Sequence, residues 1–400
     1  MADVAQILID AVGKGASDIL IKVGNSPLAR IDGQLGPLYD DAPNLLPPDT
    51  DRMARELMPE YRIKEFENEQ EADFAYAVPG LGRFRVNAFR QRGSVSMVLR
   101  SIPIHPPTFS DLNLPDVVKD LAEEERGIVL VTGTTGSGKS TTLAAMISHI
   151  NQTMAKHIVT IEDPIEYLYK DDKSGINQRE IGSDTASFKR ALRRVLRQDP
   201  DVILIGEMRD EETVQTALSA AETGHLVFST LHTADAGETV NRILEFYEPH
   251  EQTQARAMLS SVLKGVISQR LIPTADGDGR TAVVEVLRST GRVQDMIKDG
   301  DVSGLTEIIA EGAFYGMQSF DQALYAAVKD GRVTMDTAMA YATKPHDFKL
   351  LVQGEGRVGT SMDDVDQEQG KEDQDSGVNG TRADEDPTAR NPANLIPGLE

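Results

Sequence analysis

Cysteine is absent from this chain of 400 residues. Its absence excludes a disulfide framework, a thiolate zinc site and a cysteine nucleophile, which fits a reducing compartment. Long apolar runs are missing too, because none approaches the roughly 20 residues that a membrane-spanning helix requires. Residues 1–6 carry none of the basic side chains that begin a secretory signal. Together these absences predict a cytoplasmic protein.

Basic residues are outnumbered, with 41 Lys and Arg against 64 Asp and Glu and a formal net charge of −23. The field of such a chain repels the phosphates of nucleic acid unless a local basic patch overcomes it, so we expect no nucleic-acid partner. Residues 353–400 hold twelve acidic side chains, four basic ones and no aromatic ring. This composition cannot bury enough apolar area to offset the entropy lost on ordering, and it predicts a disordered acidic tail.

Strand-like apolar runs occur in the first 100 residues together with two helical patterns. An Asp-Gly pair at 32–33, between apolar runs, is a strong hairpin signal. The predicted strands lie at 18–23, 28–31, 34–35, 83–89 and 94–100, and the predicted helices at 2–12 and 50–57. We therefore predict a small α+β domain with an antiparallel sheet over residues 1–100, followed by a proline-dotted linker at 101–110.

Apolar strands and helices alternate from residue 111 to residue 352. Continuous apolar strands separated by helices indicate an α/β fold, with a parallel sheet covered on both faces and ligands at the carboxyl ends of the strands. Residues 248–271 and 319–351 are predicted to be mainly helical and to pack beyond the sheet. The predicted strands cover 128–132, 157–161, 201–205 and 225–230, and the helices between them cover 140–151, 185–198 and 211–222.

The pattern G-x-x-x-x-G-K-S follows the first of these strands and opens the first of these helices. In this context it predicts a phosphate-binding loop, because glycines let backbone N–H groups turn toward phosphates and the helix points its positive end at them. Lys139 would neutralise the phosphates of ATP, and the Ser140 hydroxyl would bind Mg²⁺. The predicted nucleotide-binding residues are Gly133, Thr134, Thr135, Gly136, Ser137, Gly138, Lys139, Ser140 and Thr141.

A carboxylate follows the predicted strand at 201–205. Glu207 stands where nucleotide triphosphatases place the acid that orients water for in-line attack. Gly206 precedes it, whereas the generic pattern has aspartate at that position. Glu207 is therefore predicted to orient water and to reach Mg²⁺ only indirectly.

Two further strand ends carry polar residues. Glu162, Asp163 and Glu166 follow the strand at 157–161. They form either a second acidic group of the site or an acidic turn shaped by the Asp-Pro pair. His232 follows the strand at 225–230, and we interpret it as a candidate sensor of the terminal phosphate.

Arginines form two groups, one in the first domain and one at helical spacing just before the Glu207 strand. Exposed, salt-bridged faces would explain both groups. In a second interpretation some of them reach a nucleotide at a subunit boundary and stabilise transition-state charge, as an arginine finger does. The candidates are Arg83, Arg85, Arg90, Arg194 and Arg197.

Three of these segments resemble one known family. The run L-R-Q-D-P-D-V-I-L-I-G-E-M-R-D at 196–210 is similar to the signature of the type II/type IV secretion ATPases, and T-G-H-L-V-F-S-T-L-H-T at 223–233 is similar to their histidine box. Residues 162–166 fall at their Asp box. Within the family the chain most resembles the PilT-like retraction ATPases of type IV pili, over roughly residues 1–352.

The resemblance implies a hexameric, ATP-hydrolysing motor with a PAS-like first domain and a RecA-like ATPase domain. Such a motor powers pilus retraction and twitching motility. Lys139 and Ser140 would bind ATP and Mg²⁺, and Glu207 would be the catalytic carboxylate. Glu166 and His232 would be the Asp-box and histidine-box residues. The resemblance also implies a location at the cytoplasmic face of the membrane, against an inner-membrane platform protein of the pilus machine.

Two features lie outside the family pattern. Retraction ATPases have an Ala-Ile-Arg-Asn-Leu-like motif where this chain has G-R-V-Q-D-M at 291–296, and the acidic tail is additional. A pilus extension or type II secretion ATPase is the alternative within the motor class, although extension ATPases commonly carry a four-cysteine zinc subdomain that this chain lacks. The alternatives of other classes are a nucleic-acid translocase on a RecA-like core and a nucleotide-binding regulator with little turnover.

Overall fold

A computed structural model describes residues 3–31, 33–102, 106–277 and 279–354. These residues form two β-sheets, one from each of the two predicted domains. Asp32 of the predicted hairpin turn, residues 103–105 of the predicted linker and residues 355–400 of the predicted tail lie outside the described residues.

The first sheet is antiparallel throughout, with the strand order β3-β2-β1-β6-β5-β4. Successive side chains along its strands alternate between a core face and a polar face, as on β5, where Phe84, Val86 and Ala88 are buried. The predicted α+β domain with an antiparallel sheet is confirmed, and β4 is a strand that we did not predict. Its elements are α1 (Val4–Gly13), β1 (Asp18–Ile21), β2 (Leu28–Ile31), β3 (Gln34–Pro37), α2 (Pro47–Leu57), α3 (Glu60–Glu69), β4 (Glu71–Val78), β5 (Gly82–Gln91) and β6 (Ser94–Ile102).

The second sheet has the order β13-β12-β7-β11-β10-β8-β9, and every neighbouring pair except β12 and β13 is parallel. Every residue of β7 and β11 is buried, which is why these strands are continuous apolar runs in the sequence. The predicted parallel α/β sheet is confirmed. Its strands are β7 (Gly127–Thr132), β8 (His157–Glu162), β9 (Gly175–Glu180), β10 (Val202–Ile205), β11 (Leu226–Leu231), β12 (Leu263–Pro273) and β13 (Arg280–Arg288).

Helices cover both faces of this second sheet. On β7, Ile128 and Leu130 pack into one apolar core, whereas Val129 and Val131 pack into the core on the opposite face. None of the helices in the described ranges is long and apolar enough to cross a membrane. The helices are α4 (Phe109–Leu112), α5 (Asp116–Ala122), α6 (Lys139–Thr153), α7 (Phe188–Val195), α8 (Glu211–Glu222), α9 (Ala236–Glu245), α10 (Gln252–Val262), α11 (Gly291–Asp299), α12 (Leu305–Glu311), a 3₁₀ turn (Gly312–Tyr315), α13 (Phe320–Lys329), α14 (Met335–Tyr341) and α15 (Pro345–Gln353).

One predicted helical segment is wrong in its second half. The helix predicted over 248–271 ends at Val262, and residues 263–271 belong to strand β12, which lies between β7 and β13. The reason is tertiary pairing: residues 263–273 pair with β7 on one side and with β13 on the other. Packing leaves room only for glycine at position 265, because the side chain of Leu121 and the Leu287 carbonyl lie within 2.9 Å of the Cβ position there. The predicted helices over 319–351 are present as α13, α14 and α15.

Candidate active site

The carboxyl ends of β8, β10 and β11 and the loop that follows β7 open onto one cavity of about 700 Å³. Parallel strands bring their carboxyl ends to the same edge of a sheet, so residues far apart in sequence meet there. The predicted site residues that line this cavity are Thr135, Gly136, Gly138, Lys139, Ser140, Thr141, Glu166, Glu207, His232 and Arg85.

The phosphate-binding loop is pressed against strand β12. Gly133 has a φ of +140°, and a Cβ added to it would lie 2.4 Å from the carbonyl oxygen of Gln269. Gly138, with a φ of +89°, would place a Cβ 2.7 Å from the Gln269 amide nitrogen. Gly136, with a φ of +80°, faces open space. Two loop glycines are therefore required for close approach as well as for backbone conformation.

Lys139 is the first residue of α6 and is buried. Its Nζ donates hydrogen bonds to the carbonyl oxygens of Gly133, at 2.8 Å, and Thr134, at 3.1 Å. Burial lowers the pKa of the ammonium, and the nearby Glu166 and Glu207 act in the opposite direction. The loop thus curls around its own lysine, which presents a cation at the start of a helix.

The loop also offers polar groups that suit a chain of phosphates. Ser137 Oγ is buried and has no hydrogen-bond partner in the described part of the chain. Thr141 Oγ1 lies 3.0 Å from the Tyr167 hydroxyl, on the cavity wall. An unpaired buried hydroxyl, a lysine and a helix amino terminus form a donor set that fits an anionic phosphate chain.

Hydrogen bonds to Thr230 fix the segment that carries Glu207, just after the carboxyl end of β10. The Gly206 carbonyl accepts a hydrogen bond from Thr230 Oγ1 at 2.7 Å, and the Met208 N–H donates to the Thr230 carbonyl at 3.2 Å. The carboxylate forms an ion pair with Arg209. His232 Nε2 lies 3.7 Å from Glu207 Oε2, so the predicted catalytic acid and the predicted sensor are neighbours.

Gly206 also has a structural explanation. A Cβ at this position would lie 3.4 Å from the Cα of Glu162 on the neighbouring strand β8. A side chain here would therefore contact the backbone of Ile161 and Glu162, and glycine lets the two strand ends approach each other.

The acidic segment after β8 lies on the cavity wall, with Glu162, Asp163 and Glu166 all among its lining residues. Glu162 is buried, and its Oε1 accepts a 2.6 Å hydrogen bond from Thr160 Oγ1. Burial raises the pKa of Glu162 to about 7. The acidic segment therefore lies on the cavity wall, and its role in the site stays a prediction.

Two arginines of the first sheet reach the cavity. Arg85 on β5 and Arg100 on β6 are directly opposite each other in the antiparallel register, and both line the cavity wall. Arg100 was not among the predicted residues. Its position across from Arg85 on the next predicted strand was the signal that could have identified it.

The other candidate arginines lie elsewhere. Arg83 Nη2 forms a 2.9 Å ion pair with Glu180 of the second sheet, and the Arg90 guanidinium lies 5.5 Å from the centre of the Phe66 ring. Arg194 and Arg197 are exposed and do not line the cavity of their own chain.

Gln269 is a residue of the site that sequence reasoning missed. It is buried on β12, and its Oε1 accepts a 2.6 Å hydrogen bond from Thr142 Oγ1 of α6. Next to it, Ser268 Oγ accepts a 3.0 Å hydrogen bond from Thr132 Oγ1 at the end of β7. Both ends of the phosphate-binding loop are therefore tied to the strand that was predicted as helix.

Glu285 is a buried carboxyl away from the cavity, in the middle of β13. It accepts a 2.9 Å hydrogen bond from the Ala236 N–H, and Asp235, Arg270 and Asp321 are the charged groups around it. Burial, the largest cause, raises its pKa to about 7. Because the pKa of Glu285 is higher in the folded state, its contribution to the free energy of unfolding depends on pH. That contribution is fully present below the unfolded value of 4.5 and is lost as the pH rises through about 7.

Glu285→Gln should therefore stabilise the protein at high pH. Glutamine keeps the acceptor for Ala236 and removes the buried charge. Relative to the parent, we expect the variant to gain about 2–3 kcal/mol in free energy of unfolding between pH 5 and pH 8.5. Urea unfolding at both pH values measures this, with Glu245→Gln on the exposed face of α9 as the control. A pH-independent difference would contradict the prediction.

The phosphate-binding loop, the glutamate two strands away in the sheet and the helices on both faces define a P-loop ATPase of RecA-like fold. The chain belongs to the type II/IV secretion system protein family, whose model matches residues 1–339. It is therefore a nucleotide-binding ATPase of this family, and the resemblance seen in the sequence is confirmed.

Individual relatives match over most of the chain. It is 42% identical to the type IV pilus ATPase PilU of Pseudomonas aeruginosa over 342 residues, 86% of this chain and 89% of the relative. It is also 42% identical to the type IV pilus retraction ATPase PilT of the same organism over 346 residues, 86% of this chain and 100% of the relative. A crystal structure of the pilus retraction motor PilT with bound ADP aligns with a TM-score of 0.82 and 46% identity, covering 88% of this chain and 100% of that one.

Proposed function

We propose that this chain is the ATP-driven motor that retracts a type IV pilus and so drives twitching motility. The observation that carries the proposal is the full-length similarity to the PilT retraction motor in sequence and in structure. The geometry supports it, because one cavity contains the phosphate-binding loop, Glu207, the acidic segment and His232.

Within this motor, Lys139 and the loop backbone hold the phosphates of ATP. We assign Mg²⁺ to the Ser140 hydroxyl, since Mg²⁺ usually takes one or two protein ligands and completes its shell with phosphates and water. The metal would neutralise charge on the terminal phosphates during transfer. Glu207 orients the attacking water and accepts its proton, and Glu166 and His232 line the same cavity.

A second cavity, of about 610 Å³, continues from the first around the start of α6. The two cavities share Gly138, Thr141, Leu271 and Arg280 as lining residues. Because the phosphate-binding loop fixes one end of the nucleotide, this adjoining space is where we place the ribose and the base.

We propose that the motor is a homohexamer. Each chain divides into a domain at 1–100, a linker at 101–110, an ATPase domain at 111–352 and an acidic tail at 353–400. Within one chain, Arg85 and Arg100 bring cations from the first sheet to a site built on the second, so the two domains share one site. In a ring, Arg194 and Arg197, which are exposed and do not line the cavity of their own chain, are available to a neighbouring site.

Assembly should be visible in the kinetics. If sites are completed between chains, the ATPase rate per chain rises with protein concentration and reaches a plateau as light scattering reports the hexamer. Arg85→Ala should lower that plateau by about 10²-fold, since an arginine that stabilises phosphoryl-transfer charge is worth at least this much. Arg52→Ala on the exposed face of α2 is the control. A monomer with a concentration-independent rate would refute the hexamer.

We place the motor at the cytoplasmic face of the cell membrane, against an inner-membrane platform protein of the pilus machine. The segment 291–296, which differs from the retraction motif, opens helix α11. There Val293 is buried in the core, and the exposed Arg292 forms a 3.3 Å ion pair with Glu311. The altered segment therefore still forms a helix. We place the difference from other retraction motors in the contacts that the exposed face of this helix makes with a partner.

Deletion of the gene in its host, with imaging of labelled pili, tests the function. If the chain is a retraction motor, the deletion strain will have longer pili that no longer shorten. The parent gene will restore retraction, and a Lys139→Ala copy of the gene will not. Complete loss of pili would identify an extension motor instead. Salt-sensitive DNA binding with DNA-stimulated hydrolysis would identify a translocase, and negligible hydrolysis by the purified hexamer would identify a regulator.

A further inference from the structure

The segment 206–210 is fixed at three points. The Gly206 carbonyl and the Met208 N–H are hydrogen-bonded to Thr230, and the Met208 side chain is buried. Asp210 caps helix α8, with Oδ1 accepting from the Thr213 N–H at 2.9 Å. The backbone between these anchors is held, so Glu207 and Arg209 can rearrange only through their side chains.

Those two side chains are paired with each other. Arg209 Nη2 forms an ion pair with Glu207 Oε1, while His232 Nε2 faces Oε2 at 3.7 Å. The Glu207 side chain is only 14% exposed, whereas that of Arg209 is 69% exposed. The guanidinium occupies Glu207 Oε1, which leaves Oε2 to accept a hydrogen bond from water. The pair therefore restricts the positions from which Glu207 can orient a water.

The same pair is weak enough to exchange. Exposed ion pairs contribute little, because the arginine is well solvated and loses side-chain freedom in the pair. Arg209 also lines the cavity together with Lys139 and Ser140. A phosphate carries more charge than a carboxylate and accepts two parallel hydrogen bonds from a guanidinium. A terminal phosphate in this cavity would compete with Glu207 for Arg209.

We propose that Arg209 is a positioning residue that acts as a latch on Glu207. In the absence of a nucleoside triphosphate it holds the carboxylate, and the terminal phosphate draws it away and frees Glu207 to orient water. A nucleoside diphosphate lacks that phosphate and leaves the latch closed. The inference rests on the proposed function, since it requires ATP in the phosphate-binding loop.

Nucleotide affinities test the phosphate contact. Arg209→Ala should weaken binding of a non-hydrolysable ATP analogue by about tenfold and binding of ADP by less than about twofold. Arg209→Lys should recover part of the loss, because lysine keeps the charge without the bidentate geometry. Arg193→Ala, which removes an exposed arginine paired with Glu212 on the neighbouring helices, should change neither affinity. Equal losses for both nucleotides, or no loss, would overturn the proposal.

A double-mutant cycle tests the competition itself. Glu207→Gln removes the competing carboxylate, so it should tighten ATP-analogue binding by about two- to fivefold in the parent background. In the Arg209→Ala background the same substitution should give no such gain. A gain that persists without Arg209 would mean simple repulsion between Glu207 and phosphate, and the latch would be wrong. If the parent protein bound no nucleotide at all, the proposed function would fail instead.

Discussion

Glu207→Gln is expected to retain ATP binding and to lower turnover by about 10²–10⁴-fold, which is the usual contribution of a positioned general base. Glutamine keeps the size of the side chain but cannot accept the proton of the attacking water. Lys139→Ala is expected to lose measurable ATP binding, because in the proposed site Lys139 contacts phosphate in the ground state and in the transition state alike. The two variants therefore separate turnover from binding.

A fluorescent ATP analogue and a phosphate-release assay measure the two effects. Lys156→Ala is a matched control, because this lysine precedes β8 at the amino end of the sheet, away from the cavity, and pairs only loosely with Asp201 at 3.8 Å. Thermal unfolding of each variant without nucleotide checks that the fold is kept. Normal turnover in Glu207→Gln would remove this residue from the catalytic role.

Gly133→Ala should unfold the loop or the protein at much lower urea concentration. A Cβ at Gly133 would lie 2.4 Å from the backbone oxygen of Gln269 and 2.6 Å from Ser137 Oγ, and the φ of +140° is unfavourable for alanine. Because the opposing atom belongs to the backbone of β12, which is paired on both sides, it cannot move without disturbing the sheet. We expect a loss of about 3 kcal/mol or more in the free energy of unfolding.

Gly136→Ala provides the comparison within the same loop. Its φ of +80° is also left-handed, but a Cβ there meets no atom within 4 Å. Only the conformational cost remains, about 1 kcal/mol. Urea unfolding of both variants without nucleotide measures the difference. Equal losses would show that the contact with Gln269 does not constrain the loop.

Most of the second sheet could be predicted from sequence because its strands carry strong local signals. β7, β10 and β11 are fully buried, so each is a short apolar run, and helices α6 and α8 begin within one residue of their predicted starts. Strand β12 lacked such a signal. Its run follows helix α10 without a break, and a short apolar run cannot be assigned to strand or helix by periodicity alone.

The arginines show the same limit. Arg83 and Arg85 are two residues apart on β5 and project from the same face, yet Arg83 pairs with Glu180 and Arg85 lines the cavity. Arg90 projects from the opposite face of the strand, which agrees with its contact with Phe66 of helix α3 in the first domain. Sequence identifies such residues as candidates, but their partners come from distant segments.

The sequence by itself determined the chemistry of this protein and the type of its main sheet. The phosphate-binding loop, Glu207 and the alternation of apolar strands with helices are local patterns, and local patterns survive without knowledge of the fold. The tertiary structure alone decided that β12 lies beside β7, that Gln269 packs against the loop and that Arg100 joins the site. The two contacts of β12 link residues more than 100 positions apart, and Arg100 comes from the other sheet. The chain meets there only because parallel pairing and the packing of the first sheet bring those segments together.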